Sequence, residues 1–197
     1  MVFTMQSLKT DLIKHFLKTK SFKHDPVNKF RLSSGIESEF YVDCKTLTGD
    51  PLARNLLARY AFDKIGNLHF DCIGGLEIGA IAIGTTISDY ALARAAKEWP
   101  TFVVRKQVKG HGLGKKIEGI TKKEALIVYD VLTSGGSVLQ AVDAARQAGL
   151  IVKYALVIVD RQEQDGKKNL ETHGVELISL LTIKDFQSVD NLAPVFR

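Results

Sequence analysis

Residues 125–137 read Ala-Leu-Ile-Val-Tyr-Asp-Val-Leu-Thr-Ser-Gly-Gly-Ser. An apolar run ends on Asp130, passes through a turn of Thr133, Ser134, Gly135 and Gly136, and leads from Ser137 into helical spacing. That order predicts a buried strand, a tight turn and a helix. Glycines let consecutive backbone N–H groups converge on one hollow, and a helix N-terminus adds the positive end of its dipole. With hydroxyls from Thr133, Ser134 and Ser137, such a turn suits a phosphate monoester. It is not a nucleotide P-loop, because no lysine follows Gly136, and G-x-G-x-x-G is missing as well. The plainer alternative is a strand–helix turn with Ser137 as N-cap. Asp130 at the strand end favours a ligand site over that alternative.

The same rhythm extends outward. Short apolar runs at 70–73, 101–104, 125–129 and 155–159 read as strands, with helices near 79–97 and 137–148, the second closed by Gly149. Continuous apolar strands alternating with helices predict an α/β fold: a parallel sheet flanked by helices on both faces. Upstream, Leu8, Leu12, Ile13, Phe16 and Leu17 share one face of a helix over 5–19. Residues 27–32 and 39–44 read as short strands around Ser33-Ser34-Gly35, and Asp50-Pro51 is an N-cap followed by proline at the first helical position, with Leu52, Leu56, Leu57 and Tyr60 continuing the apolar spacing. At about 150 residues per domain, 197 residues make a single domain. Residues 1–50 form an N-terminal hood or flap on a core over 67–185. Ligands of such sheets sit at the carboxyl ends of the strands, which directs attention to the loops after 73, 104, 129 and 159.

Composition narrows the function classes. The chain is 45% hydrophobic and 25% charged, with net charge +5. Residues 105–123 hold seven basic residues against Glu118 alone, a net +6 that leaves −1 for the rest. One concentrated basic segment suits a compact polyanion such as a diphosphate better than a nucleic-acid duplex, so no nucleic-acid partner is expected. The alternative is a solvated charged loop. The longest apolar run, 154–159, falls far short of the ~18 residues of a membrane span, and Lys9, Asp11 and Lys14 occupy the place of a signal peptide's apolar stretch. Cys44 and Cys72 stand far apart without a C-x-x-C pattern, so neither a disulfide framework nor a cysteine zinc site is expected. A reducing cytoplasm follows as the expected compartment. His15, His24, His69 and His173 form no cluster, no protein metal site is expected, and Trp99 before Pro100 reads as packing.

Residues 126–137 resemble the phosphoribosyl-pyrophosphate (PRPP) motif of type I phosphoribosyltransferases. In that family two adjacent acids hold the ribose hydroxyls and the following turn holds the 5′-phosphate; here Tyr129 takes the place of the first acid and Asp130 remains. Arg105, Lys106, Lys109 and His111 match, position for position, the Arg-Lys-x-x-Lys-x-His signature of orotate phosphoribosyltransferases, set in a glycine-rich segment with the composition of a lid. Residues 32–43 are similar to the family's orotate flap, with Glu39 where a proline is usual and Ser33 where some relatives have lysine. Residues 73–80 resemble its pyrophosphate loop, with Ile78 in place of a lysine, and Asp160-Arg161-Gln162-Glu163 matches its Asp-Arg-Gln-Glu. Taken alone, the flap would be an amphipathic hairpin and Arg161 a surface arginine.

The resemblance spans roughly residues 29–185. It implies transfer of a phosphoribosyl group from PRPP to orotate, giving orotidine 5′-phosphate and pyrophosphate in pyrimidine synthesis. It implies PRPP contacts from Arg105, Lys106, Lys109, His111, Gly75, Glu77, Asp130, Thr133, Ser134, Gly135, Gly136 and Ser137. Orotate contacts would come from Ser38, Tyr41, Val42, Thr133 and Arg161, the last as a guanidinium forked onto the carboxylate. Lys109 and Asp130 would be the catalytic pair. Mg²⁺ held by substrate oxygens and water is the implied cofactor, and a homodimer sharing its lids the implied assembly. Two alternatives stay open: another base, motivated by Glu39 and Ser33, or a weakened PRPP-binding regulatory relative, motivated by Tyr129.

Overall fold

The computed structural model describes residues 4–31, 35–107 and 116–190. Helix α1 (Met5–Lys18) starts where the Thr4 hydroxyl accepts from Ser7 N–H, and it buries Leu8, Leu12, Ile13 and Phe16. Each such side chain removed from water stabilises the fold by about 1.5–3 kcal/mol, an upper bound set by the extended-chain reference. Two small antiparallel ribbons follow. Strand β1 (Phe22–His24) pairs with β4 (Phe40–Val42), and between them β2 (Phe30–Arg31) pairs with β3 (Glu37–Ser38).

The strand expected over 27–32 is therefore reduced to Phe30–Arg31 among the described residues. The Asp25 carboxylate accepts from the N–H groups of Val27 and Asn28, an Asx turn that bends the chain and leaves Val27 84% exposed. The strand expected over 39–44 narrows to Phe40–Val42, because Asp43 turns to cap α2 (Cys44–Gly49), accepting from Lys45 and Thr46 N–H. Asp50 caps α3 (Pro51–Ile65) through Leu52 and Ala53 N–H, with proline in the first turn as expected. Leu52, however, points outward at 61% exposure, and Ala53, Leu57, Ala58, Tyr60, Ala61 and Ile65 form the buried face.

The core sheet begins at β5 (Cys72–Leu76) and continues through α4 (Gly79–Ala95), β6 (Thr101–Val104), β7 (Ile117–Gly119), β8 (Glu124–Leu132), α5 (Gly136–Gln147), β9 (Ile151–Asp160), α6 (Gly166–Thr172), β10 (Glu176–Thr182) and α7 (Ile183–Asp190). The strand order is β10-β9-β8-β5-β6-β7, all parallel except β7, which runs antiparallel to β6 at the edge. Phe70, expected inside a strand, instead packs its ring on Trp99 at 4.4 Å just before β5. Along β8, Leu126 and Val128 join Ile73, Leu156 and the buried faces of α1, α3 and α4 in one apolar cluster. Ala125 and Ile127 face the other way, toward α5. Leu8, Phe16 and Phe22 of the hood belong to that first cluster, so hood and sheet share a core.

The chain leaves β5 toward β6 on one side and returns to β8 on the other. This reversal opens a crevice at the carboxyl ends of β5 and β8, where sheets of this kind take their ligands.

Candidate active site

A cavity of about 680 Å³ lies over the end of β8, walled by the hood on one side and the core on the other. Its floor is the 133–137 turn. Gly135 sits at φ +88° and opens α5 with no side-chain capping hydrogen bond. The N-cap alternative for Ser137 is thus overturned: Ser137 lies within the helix, its first-turn N–H groups left without a side-chain acceptor. Only a residue free to take positive φ fits at Gly135. Asn169 secures the turn from behind, donating through Nδ2 to the Ser134 carbonyl at 2.9 Å. Thr133, Ser134, Gly135, Gly136 and Ser137 all line the cavity.

Asp130 stands at the rim of this floor, its Oδ1 accepting from Val131 N–H at 2.9 Å. Burial pushes its carboxyl above the ordinary value, and the Val131 N–H and the Lys45 ammonium pull it partly back. Gly79 lies against it: a Cβ there would stand 2.9 Å from the carboxylate. Tyr129 lines the same space.

The expected pyrophosphate loop runs from β5 into α4, and its Ile78 and Gly79 line a second hollow together with Lys45 and Asp130. Gly75 is a residue of β5, paired to Val103, and neither Gly75 nor Glu77 is among the described residues lining the cavity. A Cβ on Gly75 would lie 2.1 Å from the Val128 carbonyl and 2.8 Å from Ala80, so β5 comes close to β8 and α4 only through glycine. Gly75→Ala is accordingly expected to destabilise the fold by about 3 kcal/mol, because a backbone carbonyl cannot move aside cheaply. Urea unfolding checks this, and an unchanged midpoint would refute it. Glu77 holds the chain just after β6: its Oε1 accepts from Lys106 N–H at 2.9 Å, while its own N–H donates to the Val104 carbonyl.

Lys106 lines the cavity. Arg105 pairs with Glu118 at 3.4 Å, and its buried Nε has no hydrogen-bond partner among the described residues. Lys109 and His111 fall outside the described residues, as does Ser33.

On the hood side, Tyr41 and Val42 line the cavity and Ser38 is buried beside it. Arg161 is no surface arginine: it is 2% exposed, faces the cavity, and reaches across to the hood. Its Nη2 donates to Ser38 Oγ at 2.6 Å and to the Phe40 carbonyl at 3.0 Å, and its Nε to Glu163 Oε2 at 3.0 Å.

Two lining residues had no signal in the sequence, and a third, Glu163, stood in a matched motif without an assigned role. Lys45 is carried into the cavity by the Asp43 cap of α2, Arg31 by the β2–β3 ribbon, and Glu163 is brought to Arg161 by the turn after β9. Each depends on how a short hood or loop element docks. Among the described residues no group of three or more His, Cys, Asp or Glu is arranged to hold a metal ion, and Asp130 is the one carboxylate among those lining the cavity.

No family model matches the chain. Whole proteins do. It is 39% identical over 181 residues to an orotate phosphoribosyltransferase of Leptospira biflexa, covering 89% of this chain and 96% of that protein. It is 36% identical over 183 residues to the one of Aquifex aeolicus, covering 92% and 99%. The crystal structure of the Mycobacterium tuberculosis orotate phosphoribosyltransferase in complex with Fe(III) dicitrate superposes with a TM-score of 0.75 at 30% identity, covering 91% of this chain and 98% of that one. Similarity that runs nearly end to end through both partners, over a sheet whose cleft carries the uncapped α5 turn and Asp130, leaves one conclusion: the chain belongs to the orotate phosphoribosyltransferases.

Proposed function

We propose that this protein transfers the 5-phosphoribosyl group of PRPP to orotate, releasing pyrophosphate and orotidine 5′-phosphate for pyrimidine synthesis. The observation that carries this is the uncapped α5 N-terminus beside Asp130 and Lys106 in one cavity of a volume suited to a small ligand.

The 133–137 turn takes the 5′-phosphate on backbone N–H groups and hydroxyls. Asp130 accepts from the ribose hydroxyls. Lys106, with Arg105, Lys109 and His111, faces the diphosphate. Ser38, Tyr41, Val42, Thr133 and Arg161 surround the base. Gly75 and Glu77 belong to the segment from β5 into α4 that serves the pyrophosphate, with Glu77 also holding Lys106 N–H. In the reaction the bond from the anomeric carbon to the diphosphate oxygen breaks and its electron pair leaves with pyrophosphate, while the orotate ring nitrogen supplies the new pair and gives up its proton to solvent or to the departing pyrophosphate. No protein nucleophile is needed. Orientation and neutralisation of the departing charge supply the acceleration. Mg²⁺ would fit this site as a substrate-borne ion: with one lining carboxylate, its ligands would come mainly from PRPP and water, and it would help neutralise the diphosphate charge.

The protein is further read as a cytoplasmic homodimer. The buried free thiols of Cys44 and Cys72 suit a reducing compartment.

Loss of orotate absorbance on adding PRPP and Mg²⁺ tests the assignment. Turnover of another base in a panel, with orotate inert, would replace it with a different base specificity. PRPP binding without turnover of any base would replace it with a regulatory role.

Tyr129 fills the position of the family's first acid and lines the cavity. Tyr129→Asp is expected to lower the KM for PRPP by about tenfold, the worth of one hydrogen bond to a charged group. A KM that stays put or rises would make the tyrosine an integral part of this site.

A further inference from the structure

Arg161 has five N–H donors, and the described residues already engage most of them. Glu163 takes Nε at 3.0 Å and lies 3.4 Å from Nη2, while Ser38 and the Phe40 carbonyl take Nη2. Nη1 makes no hydrogen bond among the described residues. Ser38 is committed as well. Its hydroxyl accepts from Arg161 and from Phe40 N–H at 3.2 Å, and its single proton goes to Glu163 Oε1 at 3.2 Å. With the Nε–Nη2 edge of the guanidinium fixed by protein groups, those partners decide where the remaining donors point.

We propose that Glu163 is a positioning residue for base recognition: by holding the Nε–Nη2 edge of Arg161 and the Ser38 proton, it turns Nη1 toward the cavity as the donor for the carboxylate of an orotate-type base. This rests on the function proposed above and deepens its base-binding site. A carboxylate substrate meets Arg161 through Nη1, not through the two-nitrogen fork expected from the sequence, because that edge is already occupied from within.

Glu163 is itself an anion beside an anionic substrate, so two effects compete. Its side chain is 30% exposed, and water screens its repulsion on the substrate. Arg161, at 2%, depends on it for alignment. Alignment therefore dominates, and the substitution weakens binding.

Orotidine 5′-phosphate and uridine 5′-phosphate differ only in the base carboxylate, so their calorimetric affinities isolate the Arg161 contact. In Glu163→Ala, affinity for orotidine 5′-phosphate is expected to fall by about tenfold to a hundredfold while that for uridine 5′-phosphate holds. Glu163→Gln, which keeps the side chain's length and an acceptor oxygen, is expected to fall less and guards against local collapse. Equal losses for both nucleotides would reduce Glu163 to a strut. Tighter or unchanged binding of orotidine 5′-phosphate would also overturn the proposal. If the wild-type protein shows no preference for the carboxylated nucleotide, the assignment of orotate falls first, and this proposal with it.

Discussion

Asp130→Asn is expected to produce a protein that is more stable and nearly inactive. The carboxylate near the end of β8 is the one acid among the described residues lining the cavity, and the proposed function assigns it the ribose hydroxyls. At about 1.5–3 kcal/mol for each hydrogen bond to a charged group, its loss should lower kcat/KM for PRPP by about 10²–10³-fold. Stability moves the other way. Burial raises the folded pKa of Asp130 above its unfolded value. Between those two values the native state binds more protons than the unfolded one, so stability declines as pH rises through that window. Above the folded pKa the penalty is fully present. Asparagine is neutral, keeps an oxygen for the Val131 N–H, and removes the penalty. At pH 7 the variant should melt higher than wild type, and the difference should shrink as pH falls through the folded pKa. Retained PRPP turnover, or a lower melting temperature at pH 7, would show that Asp130 is a structural residue.

The same contrast between burial and chemistry explains what was legible before the structure. Residues 101–104 and the strand–turn–helix at 125–147 carry their own signals: continuous apolar runs, then glycine at the position where the backbone turns. Local periodicity suffices along β8 because residues 125–128 are buried on both faces of the sheet. Strands β1 and β10 did not announce themselves. β1 is three residues with one buried side chain, and its partner β4 lies sixteen residues further on. β10 closes the edge of the sheet with Glu176 exposed, and α6 before it has no side-chain cap. The ligand-facing residues divide in the same way. The phosphate turn is contiguous in sequence, so its chemistry could be read directly. The Ser38–Arg161–Glu163 network joins positions more than 120 apart, and only docking of the hood on the turn after β9 buries Arg161. The close approach of β5 to β8 at Gly75 was likewise not legible, because it depends on a strand more than fifty residues away.

Lys109→Ala is expected to be the mirror image of Asp130→Asn: a large loss of turnover with no change in melting. Lys106 lines the cavity, and Lys109 follows it by three positions in the segment proposed to face the diphosphate. Cations aimed at charge that develops as the diphosphate departs act on kcat, and removing one typically costs about 10²–10³-fold. The described hydrogen-bond network just after β6 runs through Glu77, Lys106, Arg105 and Glu118, so stability should stay within about 0.5 kcal/mol. The pair of variants also tests the shared lid of the proposed homodimer. If each lid serves the neighbouring subunit, a mixed dimer of Lys109→Ala and Asp130→Asn has one site carrying both substitutions and one carrying neither. An equal mixture should then regain about a quarter of wild-type activity from two nearly inactive proteins. If each lid serves its own subunit, every site in the mixture keeps one defect and no activity returns. Failure to recover, with subunit exchange verified by mass, would therefore place Lys109 over the Asp130 of its own chain.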